Sequence, residues 1–254
     1  MPRNARRKSS TGVYHVVMRG INKKRIFEEE QDYQKYLDTL SKYKKICGYE
    51  LYAYCLMSNH IHLLMKEGRE DLGNVFRRIG ASFVYWYNRK YSRSGHLFQG
   101  RYKSEAVETD RYFLTVMRYI HQNPLKAGMV KEIQAYPWSS YHEYIKNANL
   151  CDTKFALGLF ASNAQQALKL WKEFNQEKND DRCLEYDDGI RLNDSEAATV
   201  IQNVAEVKSP GEIQNFAKQK RNKAIKEFRR IGLSIRQIER LTGISFGVIR
   251  EIRP

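Results

Sequence analysis

The sequence has few cysteines and no long apolar run. Its 254 residues include 4 Cys, at Cys47, Cys55, Cys151 and Cys183. None of them forms a C-x-x-C pair, so neither a disulfide framework nor a zinc knuckle is indicated, and a reducing compartment fits. The N-terminal MPRNARRKSS lacks the apolar core of a secretory signal, and no stretch approaches the length of a membrane span. We therefore expect a soluble, cytoplasmic protein with no membrane partner.

Negative charge is also scarce, and its distribution suggests how the chain is divided. The chain has 44 Lys+Arg against 29 Asp+Glu, a net charge of +15. Residues 1–150 carry +12, residues 151–207 carry −5 and residues 208–254 carry +8. Two basic segments around an acidic one favour a nucleic-acid partner over a merely solvated basic surface. We expect a first domain over 1–150, a helical and acidic connector over 151–207 and a small module over 208–254.

The pattern of apolar residues predicts the architecture of the first domain. TGVYHVVMRG alternates as a strand does, a helix follows and ends at Gly48, and YELYAYCLM and HIHLLMK are two strands joined by Ser58-Asn59. A second helix then leads to the strand-like GHLFQGRYKSEAV. This order is that of a ferredoxin-like α+β fold, an antiparallel sheet with helices on one face. A further helix begins at Asp110 as its N-cap and ends at Pro124.

Two histidines stand two residues apart in HIHLLMK. Because strand side chains alternate, His60 and His62 share one face of the sheet while Ile61 and Leu63 point to the helix-covered face. On an open sheet face the two imidazoles are able to bind one metal ion. They are equally able to do no more than hydrogen-bond to their neighbours, so a third ligand is needed to favour a metal site.

The stretch RYIHQNP in the last predicted helix supplies a candidate. Tyr119 and Asn123 are four residues apart and share a helical face from which His121 is turned away. Each alone has an ordinary structural interpretation, as a core aromatic and as a C-terminal cap. A tyrosine hydroxyl beside a metal bound by two histidines and a carboxamide is, however, suited to attack a DNA phosphodiester and form a 5′-phosphotyrosine, leaving a free 3′-hydroxyl. Simple hydrolysis would need no tyrosine.

Several of these motifs together resemble one family. GVYHVVMRG, LMSNHIHLL, GHLFQGRYKS, RYIHQNPLKAG and YPWSSY, spanning roughly residues 10–145, resemble the REP-associated branch of the single-tyrosine HUH transposases. The resemblance implies the HUH nuclease fold, with metal ligands at His60 and His62 and the nucleophile at Tyr119. It places the third metal ligand at Asn123, where insertion-sequence relatives have glutamine. It also implies Mg²⁺ or Mn²⁺ as cofactor and single-stranded DNA hairpins from repeated extragenic palindromes as substrate.

Further residues are candidates for binding DNA. In GHLFQGRYKS the residues Gln99, Arg101 and Lys103 alternate, which puts them on one strand face able to contact phosphates or bases; an ordinary solvent-facing strand explains the pattern equally well. The N-terminal residues Arg3, Arg6 and Arg7 form either an arm that grips DNA or an unstructured tail.

The C-terminal LSIRQIERLTGISFGVIREI has the spacing of a helix-turn-helix, with Gly243 at the turn. Glu239 stands where such motifs usually have a small residue, and a helical hairpin packed on the first domain is the alternative. If the module reads duplex DNA, the residues facing the groove are Ser245, Phe246 and Arg250.

The function expected from the sequence is therefore a metal-dependent DNA strand transferase that cleaves and rejoins hairpin-forming DNA, associated with the nucleoid and acting as a monomer or a homodimer. Two alternatives stay open. One is a non-catalytic DNA-binding regulator on the same scaffold, and the other is a metal hydrolase in which water is the nucleophile.

Overall fold

A computed structural model describes residues 7–185 and 192–252. The chain divides into two compact units, residues 1–186 and 187–254. The first contains β1 (Val13–Arg19), α1 (Glu30–Cys47), β2 (Glu50–Leu56), β3 (His60–Lys66), α2 (Leu72–Lys90), β4 (Lys103–Ala106), α3 (Asp110–Lys126), α4 (Tyr141–Ile145), α5 (Thr153–Gly158) and α6 (Ala164–Gln176). The second contains α7 (Asp194–Ala205), α8 (Lys218–Ile231), α9 (Ile235–Thr242) and α10 (Phe246–Glu251). None of the helices in the described ranges is long and apolar enough to cross a membrane.

The first unit is built on a four-stranded sheet in the order β2-β3-β1-β4, and every neighbouring pair is antiparallel. The strands β1, β2 and β3 each alternate between two cores. On β1, Tyr14, Val16 and Met18 enter the core formed with α1 and α2. The helix α1 starts at a capping box between Glu29 and Asp32 and ends, as predicted, where Gly48 takes up a left-handed conformation at φ 71°. The ferredoxin-like α+β class predicted from the sequence is confirmed.

The second face of the sheet is not open, contrary to what the strand pattern suggested. α3 packs across it, and Val116 and Ile120 join Cys55 and Leu64 of the sheet in a second core. Trp171 of α6 is fully buried in the same core, and its ring stacks on that of Tyr144 with centroids 4.5 Å apart. Helices therefore cover both faces, and any site on the histidine-bearing face lies between sheet and helix.

Two element boundaries also differ from those predicted. The last strand is short, because Gly100 adopts a left-handed backbone at φ 71° and β4 begins only at Lys103. The helix α3 is capped by Thr109, whose side chain accepts from the Tyr112 amide at 3.2 Å, rather than by Asp110. The helix α3 continues for two residues beyond Pro124, although proline has no backbone N–H to donate to the carbonyl of the preceding turn.

The second unit has an apolar core of its own. Ile201 of α7, Ile225 and Phe228 of α8, Ile238 of α9 and Ile249 of α10 are fully buried together. A left-handed Gly243 joins α9 to α10 at φ 73°. The carboxylate of Glu239 accepts from the Phe246 amide at 2.9 Å, so the residue that is unusual for a helix-turn-helix satisfies a free donor at the start of α10.

The division between the units differs from the boundaries that charge suggested. Helices α5 and α6 of the expected connector pack in the second core of the first unit, whereas α7 packs with the C-terminal helices. Net charge does not detect this arrangement, because the packing depends on the buried face of each helix and the charge lies on the exposed one. A cut at 207/208 would separate α7 from the side chains that bury it.

Candidate active site

The histidine pair lies on β3, one strand in from the edge of the sheet. His60 is opposite Arg19 of β1, and His62 is opposite Val17. The two imidazole centroids are 5.0 Å apart and the rings are nearly perpendicular, at 84°. His62 is buried and His60 is half-buried. The structure thus brings both rings together on one face, as the alternation predicted.

Two side chains of α3 meet this pair from across the face. The Tyr119 ring centroid lies 5.7 Å from that of His62. The Asn123 amide nitrogen lies 3.4 Å from His62 Nε2, and the same amide hydrogen-bonds with His60. All four residues singled out in the two motifs therefore converge, because α3 crosses the sheet with its Tyr119–Asn123 face toward β3.

His121 is turned away from this cluster, as expected for its position on the helix. Its Nδ1 lies 2.9 Å from Asn175 Oδ1, and its Nε2 lies 2.9 Å from Ser140 Oγ. The ring is fully buried beside Trp171. His121 links α3 to α6 and takes no part in the histidine pair.

A third histidine contacts the pair and was missed in the sequence. His15 of β1 places Nε2 3.1 Å from His62 Nδ1, and the two rings stack with centroids 5.3 Å apart. Its centroid is also 5.9 Å from that of Tyr119. A signal was available: His15 is a lone histidine in an apolar strand, on the same face of β1 as Val17, which pairs with His62.

Burial sets the protonation of these three imidazoles. It lowers the pKa of His15 to about 3 and also lowers the pKa of His60. The pKa of His62 falls well below its ordinary value because of burial, with smaller contributions from the neighbouring His15 and His60 rings. All three rings are therefore neutral at neutral pH, which is the form that binds a metal.

The Tyr119 hydroxyl is held by a carboxylate that the sequence gave no reason to select. It donates a short hydrogen bond to Glu185, which lies in an aperiodic segment after α6. Burial raises the pKa of Tyr119, and the hydrogen bond and charge of Glu185 raise it further. The phenol is only 3% exposed, so in this arrangement the candidate nucleophile is protonated and covered.

Glu185 ends an extended segment, residues 177–185, that we call the acidic strap. The strap runs along α3 and bonds to it turn after turn. The contacts, at 2.8 to 3.0 Å, join Arg118 to Glu177 and to Asp181, Gln122 to Asn179, and Lys126 to Asn179. Lys126 also stands 5.8 Å from the Tyr119 ring centroid. The strap therefore lies along the side of α3 that carries Arg118, Gln122 and Lys126, and reaches the Tyr119 hydroxyl at Glu185.

The donor set determines which metal the cluster suits. No group of three or more His, Cys, Asp or Glu side chains within residues 7–185 and 192–252 is arranged to hold a metal ion. The candidate set has two such residues, His60 and His62, and its third member is the amide of Asn123. Neutral imidazoles bind first-row divalent ions, and an amide oxygen suits hard ions such as Mg²⁺ and Mn²⁺. Rotation of the Asn123 side-chain amide exchanges its nitrogen and its oxygen, so the oxygen is able to face the histidines. The residues fit a divalent ion with nitrogen and oxygen ligands.

The expected DNA-binding residues of the first unit are dispersed. Gln99 and Arg101 precede β4 in a loop, and only Lys103 is in the strand, so the three do not share a strand face. The backbone N–H of Gln99 donates a hydrogen bond to the backbone carbonyl of Arg19 at 2.7 Å. Arg7 is exposed near the carboxylate of Glu108, whose pKa is lowered mainly by the hydrogen bond from the Ser10 hydroxyl and to a smaller extent by the charge of Arg7. The remaining two candidates, Arg3 and Arg6, lie outside the described residues.

In the second unit, two of the residues expected to face a groove, Ser245 and Phe246, lie at the start of α10, and the third, Arg250, lies in its last turn. Ser245 and Arg250 are exposed, and Phe246 is half-buried. Ser245 is the N-cap residue of α10.

Known proteins resemble the first unit. The family model described as "Transposase IS200 like" matches residues 8–123. A candidate REP-associated tyrosine transposase of Haemophilus influenzae is 31% identical over 121 residues, which are 42% of this chain and 68% of that protein. The REP-associated tyrosine transposase of Escherichia coli K12 is 26% identical over 112 residues, 43% of this chain and 65% of that protein.

A solved structure supports the same assignment of fold. It is that of a REP-associated tyrosine transposase bound to a REP hairpin, and it superposes with a TM-score of 0.51 at 22% identity over 57% of this chain and 86% of that one. The segment that the family model matches, residues 8–123, contains β1, β3 and α3 as far as Asn123, and these elements carry the converging histidines and Tyr119. This chain therefore belongs to the REP-associated tyrosine transposases of the IS200-like family.

Proposed function

We propose that this protein cleaves and rejoins single DNA strands at hairpin-forming sites through a covalent bond between Tyr119 and a 5′-phosphate. The observation that supports the proposal best is the convergence of Tyr119, His60, His62 and Asn123, with the Tyr119 and His62 rings 5.7 Å apart. A nucleophile and a set of metal-binding side chains are thereby close enough to act on one phosphodiester.

In the proposed reaction the Tyr119 oxygen attacks phosphorus and loses its proton to water. A new O–P bond forms, the bond from phosphorus to the 3′-oxygen breaks, and that oxygen leaves as a hydroxyl after taking a proton from water. A divalent ion held by His60, His62 and Asn123 would supply charge stabilisation to the phosphate. Because the number of phosphoester bonds is unchanged, a 3′-hydroxyl is able to reverse the step and rejoin strands.

Attack requires Tyr119 to be released from the acidic strap. The Tyr119 hydroxyl is hydrogen-bonded to Glu185. The negative charge of the Glu185 carboxylate would also repel a DNA phosphate that approached the same hydroxyl. Arg118 and Lys126, which the strap engages in the described arrangement, become available for DNA phosphates once the strap is displaced. The same basic residues thus have two anionic partners that compete.

The substrate we propose is a REP-like DNA hairpin, on the ground that a related protein was solved bound to one. The fold of the first unit is shared with that protein.

We further propose that the second unit binds duplex DNA as a helix-turn-helix. The hydrogen bond from the Phe246 amide to Glu239 fixes the turn between α9 and α10, and residues 208–254 carry a net charge of +8. Exposed Ser245 and Arg250 at α10 are placed to contact bases or phosphates. A second DNA-binding unit would add affinity for sites with duplex flanks.

One experiment separates this proposal from the two alternatives. An end-labelled single-stranded hairpin is incubated with Mn²⁺ and either the wild type or Tyr119→Phe, which removes the attacking oxygen and retains the ring. The wild type should form an adduct that survives denaturation, and the variant should bind the hairpin with neither adduct nor cleavage. Cleavage by the variant would favour a hydrolase that uses water, whereas binding without cleavage by either protein would favour a non-catalytic regulator.

A further inference from the structure

We propose that His15 is a positioning residue that fixes the tautomer and the ring orientation of His62. The inference rests on the proposed metal site, of which His62 is a member. It concerns a residue whose ring lies 5.9 Å from that of Tyr119 and which reaches the proposed metal ligands through the His62 ring.

The contact between the two rings is short and fully enclosed. His15 Nε2 lies 3.1 Å from His62 Nδ1, with His15 0% and His62 1% exposed. No water competes for this pair of nitrogens at such burial. Because β1 is hydrogen-bonded to β3 on one side and to β4 on the other, the His15 backbone is held on both edges. His15 is therefore a rigid support for the His62 ring.

The contact is compatible with a metal at His62 in only one of its two proton arrangements. If His15 Nε2 donates, His62 Nδ1 is the acceptor and the single proton of neutral His62 lies on Nε2, directed toward Asn123. If His62 Nδ1 donates to His15, then His62 Nε2 keeps a free lone pair. A histidine that binds a metal through one ring nitrogen usually donates a hydrogen bond from the N–H of the other to a fixed acceptor. In the proposed arrangement His15 Nε2 is that acceptor.

On its other side, His62 Nε2 lies 3.4 Å from the side-chain amide of Asn123, the third proposed ligand, so Nε2 is the ring nitrogen that faces the proposed metal site. His15 then carries its proton on Nδ1, which is buried with no hydrogen-bond partner among the described residues. An unsatisfied buried donor is costly, and this cost opposes the proposed tautomer in the metal-free protein, so the tautomer itself is the first quantity to measure.

The first measurement reads the tautomer directly. Long-range ¹H–¹⁵N spectra of the metal-free, full-length protein at neutral pH distinguish a protonated from an unprotonated ring nitrogen. We expect His62 to be protonated at Nδ1 and unprotonated at Nε2. The opposite tautomer in the wild type would overturn the inference, and this result does not depend on any variant folding.

The second measurement is Mn²⁺ binding, followed by the electron paramagnetic resonance signal of the free ion. His15→Phe keeps a buried ring and removes the acceptor, and we expect its affinity for Mn²⁺ to fall about 10- to 100-fold. His15→Gln restores an acceptor oxygen and should recover most of the loss. Val16→Ala is the control, since Val16 is equally buried on β1 but faces the other core.

The pattern across the variants decides between the explanations. Unchanged Mn²⁺ affinity in His15→Phe, or an equal loss in Val16→Ala, would overturn the positioning role. His62→Ala tests the metal site itself. Loss of Mn²⁺ binding in His62→Ala without loss in His15→Phe would refute only the inference about His15, whereas wild-type binding by His62→Ala would refute the proposed metal site.

Discussion

Replacing Glu185 with Gln should make the protein a faster nuclease. The Glu185 carboxylate accepts a hydrogen bond from the Tyr119 hydroxyl and contributes to the raised pKa of that phenol. Gln keeps the shape and removes the charge, so the pKa of Tyr119 should fall toward its ordinary value. A larger fraction of the phenol is then ionised at any pH below its pKa.

The size of the effect follows from the exposure of Glu185. A hydrogen bond to a charged group contributes about 1.5–3 kcal/mol, and solvent screening of an exposed carboxylate reduces that to about 1 kcal/mol. Since 1.36 kcal/mol corresponds to one pKa unit, we expect about a fivefold increase in cleavage rate. The gain should appear below the pKa of Tyr119 and shift the rising limb of the pH–rate profile to lower pH.

The assay is single-turnover adduct formation on an end-labelled hairpin with saturating Mn²⁺ over roughly pH 6 to 9, which lies below the ordinary tyrosine pKa of about 10. Asp180→Asn, in the same strap, is the control for the loss of one negative charge. Slower cleavage by Glu185→Gln across the whole range would refute the reasoning, because it would mean that Glu185 assists the loss of the proton.

Three other predictions follow from the structure. His60→Ala and His62→Ala should each raise the Mn²⁺ concentration needed for cleavage, or abolish it, while Asn123→Ala should be milder because water replaces an amide; cleavage insensitive to EDTA would contradict this. A chain that ends at Tyr186 should still form the adduct, but its log–log salt dependence of binding to duplex-flanked hairpins should be flatter by up to about 0.9 per lost phosphate contact; an unchanged slope would contradict a DNA-binding second unit. Burial lowers the pKa of His121 to about 4, so thermal unfolding should show stability falling as pH drops from about 6.5 toward 4, and His121→Phe should weaken that dependence.

Much of the first unit could be predicted because its signals are local. Strand alternation placed His60 and His62 on one face, and a four-residue spacing placed Tyr119 and Asn123 on one side of α3. Their convergence depended on a long-range fact, the packing of α3 across that face, which no spacing within α3 encodes. The family resemblance supplied that fact where periodicity did not.

Two contacts of the candidate site, those of His15 and Glu185, could not be predicted from the sequence. His15 belongs to a strand that looks like ordinary core, and its role appears only once β1 is paired with β3 in register. Glu185 lies in a segment with neither helical nor strand periodicity. Its contact with Tyr119 depends on the hydrogen bonds and ion pairs that side chains of the strap form with α3. Such segments are the least predictable because no repeating backbone geometry restricts where they go.

The separate apolar core of the second unit bears on how proteins of this kind diversify. Residues 187–254 bury Ile201, Ile225, Phe228, Ile238 and Ile249 among themselves. The residues proposed for chemistry all belong to the first unit, so exchange of the gene segment for residues 187–254 leaves them intact. If the second unit binds DNA as proposed, recombination at that junction would change the target preference and leave the proposed chemistry unchanged.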